Sequence, residues 1–413
     1  MALVRPFRAI RPNKQFAEKV VSLPYDVMNR EEAAAMAKDN PYSFLHISRS
    51  EIDLPGQKDP YGPDVYEKAK DNLEQFLDKK IFIEEVKPMF YIYRQKMGDK
   101  IQTGLVGCVS VDDYINDIIK KHEHTREEKE LDRTRHFDAC SMHTEPVFLA
   151  YRDNKKIDTL MEGYITNNRP EYDVTTLDGV EHKLWAITDD NVIAGIAGIF
   201  SEIPALYIAD GHHRSASACQ VGKKRREEKP GYTGEEEFNY FMAVIFPDKD
   251  LNILDYNRVI KDLNGSTPEE IINKIKKAGF EVEEKGTGQY FPEKKHTFSM
   301  FLEGKWYKLT AEGSVIPKHI TDSLDVSILQ DRILSPILDI EDPRKNKRID
   351  FVGGIRGLDE LERRVNDDMK IAFALYPVMI EDIMRVSDNG MVMPPKSTWF
   401  EPKLGSGLFL HRI

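Results

Sequence analysis

Three cysteines in 413 residues, Cys108, Cys140 and Cys219, are too few and too scattered for a disulfide framework or a cysteine-based zinc site. A reducing, cytoplasmic setting is expected. No apolar run approaches the roughly 18 residues that a spanning helix needs. Met1-Ala-Leu-Val-Arg-Pro-Phe-Arg8 likewise has no signal-like apolar stretch, so no membrane partner is expected. Positive charge is also in short supply, with 59 Lys and Arg against 70 Asp and Glu and a formal net charge of -11. That balance argues against a broad grip on nucleic acid, which depends on clustered basic residues. Internal repeats and low-complexity segments are absent. The glycine-bearing run Asp350-Phe-Val-Gly-Gly-Ile-Arg-Gly357, which follows the basic stretch Arg344-Lys-Asn-Lys-Arg348, lacks the spacing of a P-loop.

What is present fits a globular chain of two or three domains, with 40% hydrophobic and 31% charged residues. The pattern predicts a mixed α/β fold. Ser22-Leu-Pro-Tyr-Asp26 reads as a strand end entering a proline-fixed loop, and Asn29 as the N-cap of a helix through Lys38. Val65, Tyr66, Ala69, Leu73, Phe76 and Leu77 recur at helical spacing. Segments 88–94 and 102–111 are rich in aromatic and β-branched residues and should pair as strands. Residues 127–135 predict a solvated charged helix within a charged insertion near 112–175. Residues 204–210 predict a buried strand, followed by a helix from about 212 to 226. The polar stretch 223–234 predicts an exposed connection and a boundary between regions 1–226 and 235–413. Beyond it the pattern gives strands near 240–256, a helix opened by Ser266-Thr-Pro-Glu-Glu270, and strands near 297–310.

The segment Tyr207-Ile-Ala-Asp-Gly-His-His-Arg214 concentrates an acid, a turn residue, two imidazoles and a guanidinium at a strand-to-helix step. Gly211 would turn the helix so that its free N–H groups face a phosphate. Arg214 would add planar contacts to that group, and His213 a further one. Asp210 could hold a divalent cation or accept a proton, and His212 could shuttle one. The competing structural reading makes Asp210 a helix cap and the histidines first-turn residues. A second cluster, Lys121-His-Glu-His-Thr-Arg126, offers His122 and Glu123 to a metal or a phosphorylated ligand, although charge runs are usually solvated faces. His136 and His143 follow it as weaker candidates. The segment Met393-Pro-Pro-Lys-Ser-Thr-Trp-Phe-Glu-Pro-Lys403 either reaches a pocket through Lys396 and Thr398 or docks as an edge.

Asp210-Gly-His-His-Arg214 with Ser215-Ala-Ser-Ala218 resembles the site motif of the ParB/sulfiredoxin superfamily, most closely its free serine kinase branch, SerK. With Leu23-Pro-Tyr-Asp26, His122-Glu-His-Thr125 and Pro394-Pro-Lys-Ser-Thr398, the chain also resembles a bacterial family long labelled a domain of unknown function. The superfamily resemblance implies a nucleotide- or phosphate-binding core in the first region, and an additional α+β region follows it. It further implies a catalytic carboxylate at Asp210 and phosphate contacts from His212, His213 and Arg214. SerK has an upstream glutamate as base, which has no evident match here, and Asp26 is the substitute.

The resulting expectation is a phosphotransferase acting on a small hydroxylated metabolite, free L-serine giving O-phosphoserine. ATP, ADP or pyrophosphate would donate, and Mg²⁺, with Asp210 as a ligand, would neutralise the oxygens. One alternative is a metal-dependent phosphatase or nuclease using His122, His124, His212 and Asp210. Another is a non-enzymatic nucleotide sensor or DNA-partitioning-like protein. The sequence specifies no oligomeric state.

Overall fold

The computed structural model describes residues 1–57 and 59–413. The chain divides into two compact units, Met1–Leu251 with Pro402–Ile413, and Asn252–Glu401. Both mix helices and sheets, in agreement with the α/β reading. No helix among the described residues is long and apolar enough to cross a membrane. All three cysteines are buried and free.

The first unit is built on a nine-stranded mixed sheet. Tyr240–Pro247 lies between Lys100–Ser110, to which it is antiparallel, and Val147–Tyr151, to which it is parallel. It is buried along its whole length, and this explains its unbroken apolar sequence. Phe90–Met97 pairs antiparallel with Lys100–Ser110, as expected of two segments rich in aromatic and β-branched residues. Leu149, Ile208 and Ile245 are fully buried in the core of this sheet, each burial worth about 1.5–3 kcal/mol.

The polar connection 229–236 therefore joins two elements of one unit. The break between units follows Leu251, and the last twelve residues return to the first unit, where Leu410–Arg412 pairs with Ala9–Pro12 and Met142–His143. Likewise, the stretch expected as a charged insertion supplies the strands Ile119–Lys120 and Val147–Tyr151 to the main sheet. Its helix, Glu127–Cys140, buries Asp132, Arg133, His136, Phe137 and Cys140 and is not simply a solvated face.

Local signals hold elsewhere. Asn29 caps Arg30–Ala37 through a reciprocal capping box with Glu32. The apolar stripe near residue 70 becomes the helix Pro63–Asp78. In the second unit a six-stranded sheet includes Tyr256–Ile260, Thr297–Leu302 and Lys305–Ala311. There Thr267 caps the helix Pro268–Lys277, whose Ile271 and Ile275 are buried.

Candidate phosphate site at a strand-to-helix turn

Sheet topology brings two distant pieces of sequence to one end of the strand Leu206–Asp210. Its parallel neighbour Ile119–Lys120 lies opposite Leu206 and Tyr207, and the chain runs on in the same direction into His122 and Glu123. Its antiparallel neighbour Val147–Tyr151 begins there, just after Glu145 and Pro146. An irregularity in the register between Ile208 and Asp210 re-aims the last residue of the strand.

Gly211 follows with φ +93°, a left-handed conformation that costs glycine little. The helix His212–Glu228 then starts without a side-chain cap. The N–H groups of His212, His213 and Arg214 thus have no acceptor within the helix. Asp210 folds its Oδ1 back to accept the Gly211 N–H at 2.9 Å, and its Oδ2 accepts from Lys403 Nζ at 3.1 Å. Burial works to raise the Asp210 carboxyl. The charges of Lys403 and Arg214, together with these hydrogen bonds, overcome it and hold the group well below the usual carboxylate range. The carboxylate is thus ionised at neutral pH.

Arg214 is 2% exposed and lies beneath the turn. Its Nη1 donates to the Pro146 carbonyl at 2.5 Å, while Nη2 faces Asp210 at 3.8 Å and Asp26 at 4.0 Å. Burial disfavours its charge, but Asp26, Asp210 and Glu145 outweigh that penalty. In this arrangement Arg214 is a buried charge that organises carboxylates.

The two histidines act on the neighbouring loop. His212 Nε2 accepts the His122 N–H at 3.4 Å, and His213 Nε2 accepts the Arg126 N–H at 3.0 Å. Accepting at Nε2 requires the Nδ1–H tautomer in a neutral ring. Burial lowers both histidines, with the neighbouring His122 adding to the effect on His212. His212 Nδ1 faces Glu123 Oε2 at 4.0 Å. The ring of His122 meets that of His212 edge-on at 4.4 Å, and burial lowers His122 to about 4. The histidine pair therefore pins residues 122–126 over the start of the helix, a positional role that the motif alone did not reveal.

Asp26 lies on the one-turn helix Tyr25–Val27, after Pro24, with its side chain 39% exposed. Glu145, which no sequence motif marks, is 1% exposed. Its Oε1 accepts from Ser406 Oγ at 2.8 Å and from the Tyr25 N–H at 3.4 Å, while Oε2 has no hydrogen-bond partner among the described residues. Burial pushes the Glu145 carboxyl up against the pull of Arg214 and Arg133, with Asp26 adding to the rise. Arg133 stacks on Tyr25 at 4.0 Å and pairs with Asp132 at 2.9 Å.

From the C-terminal segment it is Lys403, singled out in the sequence but given no role there, that pairs with Asp210. Gln95 Nε2 donates to the Lys403 carbonyl at 2.7 Å, and the Gly405 N–H donates to Tyr93 Oη at 3.1 Å. These contacts fix the strap that carries the lysine. Lys396 and Thr398, expected to bind phosphate, belong to the other unit, where the Lys396 carbonyl accepts from Arg258. His124 is exposed. His136 and His143 are buried, facing Thr144 and His411.

The residues do not fit a magnesium site built by the protein. Both Asp210 oxygens already accept hydrogen bonds, and a divalent ion on Oδ2 would sit against the Lys403 ammonium. Among the described residues, no group of three His, Cys, Asp or Glu side chains has the spacing for a metal ion. The ligand set His122, His124, His212 and Asp210 is not assembled.

Fold and site together define a mixed α/β protein with an uncapped helix N-terminus beside an ionised, lysine-paired aspartate. The chain belongs to the family described as "Protein of unknown function (DUF1015)", whose model matches residues 4–327. Comparison with curated proteins gives no match. Among solved structures, the chain is similar to a free serine kinase in complex with AMP, at 15% identity and TM-score 0.36, over 73% of this chain and 91% of that one. It is similar to a conserved hypothetical protein from Pyrococcus furiosus at 16% identity and TM-score 0.34, over 73% and 94%. A C-terminally truncated SbnI from Staphylococcus aureus shares 10% identity at TM-score 0.38, over 73% and 85%.

Proposed function

We propose that the protein is a phosphotransferase that moves a phosphoryl group from ATP, ADP or pyrophosphate to the hydroxyl of free L-serine. The observation that carries this reading is the junction at residues 210–214, where a carboxylate held ionised by Lys403 and Arg214 stands at the uncapped start of a 17-residue helix. Free N–H groups at a helix start and an adjacent lysine are the donors that phosphate oxygens need. The choice of serine rests on the resemblance of Asp210-Gly-His-His-Arg214 to the free serine kinase branch of the ParB/sulfiredoxin superfamily.

In this mechanism the main-chain N–H groups of His212, His213 and Arg214 and the Lys403 ammonium hold the transferring phosphoryl group. Asp26 accepts the proton of the serine hydroxyl. The hydroxyl oxygen bonds to phosphorus as the bond from phosphorus to the leaving oxygen breaks, giving O-phosphoserine and ADP, AMP or orthophosphate according to the donor. Asp210 holds Lys403 in line, and Arg214 sets the spacing of Asp26 and Asp210 from below. Such a reaction depends on positioning and charge stabilisation and needs no covalent intermediate.

Phosphorus NMR of the purified protein with serine and each donor, with and without Mg²⁺, checks the reading. Phosphoserine should form, and Asp210→Asn should reduce turnover by about 10³-fold while leaving the circular dichroism spectrum intact. Folded protein that makes no phosphoserine from any donor would refute the proposal. Full activity in Asp210→Asn would remove the role given to that residue.

A further inference from the structure

Arg258, in the second unit, is only 3% exposed and has no carboxylate within ion-pair distance among the described residues. Its guanidinium donates to the main-chain carbonyls of Tyr256 and Lys396, the latter at 3.1 Å, and lies 5.3 Å from the Phe351 ring. Burying a cation without a countercharge is costly, and most proteins avoid it. This one lines a cleft of about 390 Å³, a size suited to a small metabolite.

The cleft wall shows two further departures from relaxed geometry. Gln330, which lines it, opens a five-residue π-helical stretch, a wider turn common at functional sites. Lys396, next to the lining residues Pro394 and Pro395, has φ +58°, a left-handed conformation unusual for a side-chain-bearing residue. That conformation belongs to the segment whose carbonyl meets Arg258.

The charges in the wall select the ligand. Arg344 and Asp342 neutralise each other through paired hydrogen bonds of 3.0 and 3.1 Å. Two unmatched charges remain, the buried cation of Arg258 and the exposed anion of Glu341, which is in no ion pair among the described residues. A polyphosphate would find one available cation and a repelling carboxylate. A zwitterion finds a partner for each of its charges, and Pro394, Pro395 and Val326 offer an apolar wall.

We propose that this cleft binds a free α-amino acid with an apolar side chain, its carboxylate on Arg258 and its ammonium toward Glu341. The site is independent of the phosphotransfer reading, because all its residues lie in Asn252–Glu401.

Isothermal titration of the full chain with valine tests it, with isobutylamine, isobutyrate and inorganic phosphate as separate arms. Valine should bind, and each analogue lacking one charge should bind at least about tenfold more weakly. Glu341→Gln, at an exposed position that cannot disturb the core, should weaken valine by a similar factor. Arg258→Lys keeps the charge but loses the fork and should also weaken it. Absence of binding by valine, alanine, leucine and proline, binding indifferent to Glu341→Gln, or binding of phosphate in preference to valine would each overturn the proposal.

Discussion

Arg214 in the first unit and Arg258 in the second are both withdrawn from water, at 2% and 3% exposure, but in opposite electrostatic company. Asp26, Asp210 and Glu145 surround Arg214 and keep its proton firmly bound. Burial dominates at Arg258 and, against a small opposing pull from Tyr256, lowers it to about 10. In the first arrangement the chain itself supplies the countercharges, so its cation serves as a fixed point around which carboxylates are spaced. The second is incomplete, so its cation is available to an anion from outside. Burial of a charge thus identifies neither structure nor function until the surrounding charges are counted.

Replacing each arginine with methionine, which is similar in length and uncharged, tests that contrast most strongly. Arg214→Met leaves a cluster of carboxylates without its central cation and should cost about 3–5 kcal/mol. Arg258→Met removes an uncompensated charge, loses only two hydrogen bonds to carbonyls, and should cost about 1–2 kcal/mol. Urea unfolding of the full chain, followed separately for the two units by hydrogen exchange, measures both. Equal losses would erase the distinction between the two sites.

Acid should destabilise the first site through its histidines before it reaches Asp210. His122 is neutral in the folded protein down to about pH 4, whereas an unfolded histidine takes up its proton near pH 6.5. Between those values the unfolded chain binds more protons, so stability present above pH 6.5 is lost as the pH falls toward 4. For this one ring the loss is on the order of 3 kcal/mol. His122→Leu should therefore flatten the fall in stability between pH 6.5 and 4, as read by denaturation at stepped pH. An unchanged slope would place the acid sensitivity elsewhere. The Asp210 carboxyl adds its own loss only at lower pH, because its folded value is depressed and its contribution persists until the pH falls below the ordinary aspartate range.

The legible parts of the site were local ones. A strand, a glycine and a helix in immediate succession at 206–228 follow from neighbouring residues, and so does the cap at Asn29. Glu145 and Lys403 left no such trace. Lys403 meets Asp210 across 193 residues of sequence, and Ser406 meets Glu145 across 261, so only the completed sheet brings them together. The helix Glu127–Cys140 was readable as a helix but misleading about its faces. Arg133, His136, Phe137 and Cys140 share one buried stripe at helical spacing. Two polar members hid it, because pairing with Asp132 and stacking on Tyr25 make an arginine tolerable inside.

The smallest change bears on why the turn and the buried cation belong together. A Cβ on Gly211 would stand 3.1 Å from Arg214 Nε and 3.2 Å from its Cζ, tighter than a relaxed contact, on a backbone already at φ +93°. Gly211→Ala should therefore cost about 1–2 kcal/mol, from the left-handed backbone and from displacement of the guanidinium. Its effect on turnover should exceed that on stability, since a shift of Arg214 moves both Asp26 and Asp210, which face the same Nη2. Combining Gly211→Ala with Arg214→Met separates the two contributions, because the double variant retains the backbone strain but no longer has a guanidinium to displace. Strict additivity of the two losses would mean that the glycine serves the turn alone and does not set the position of the arginine.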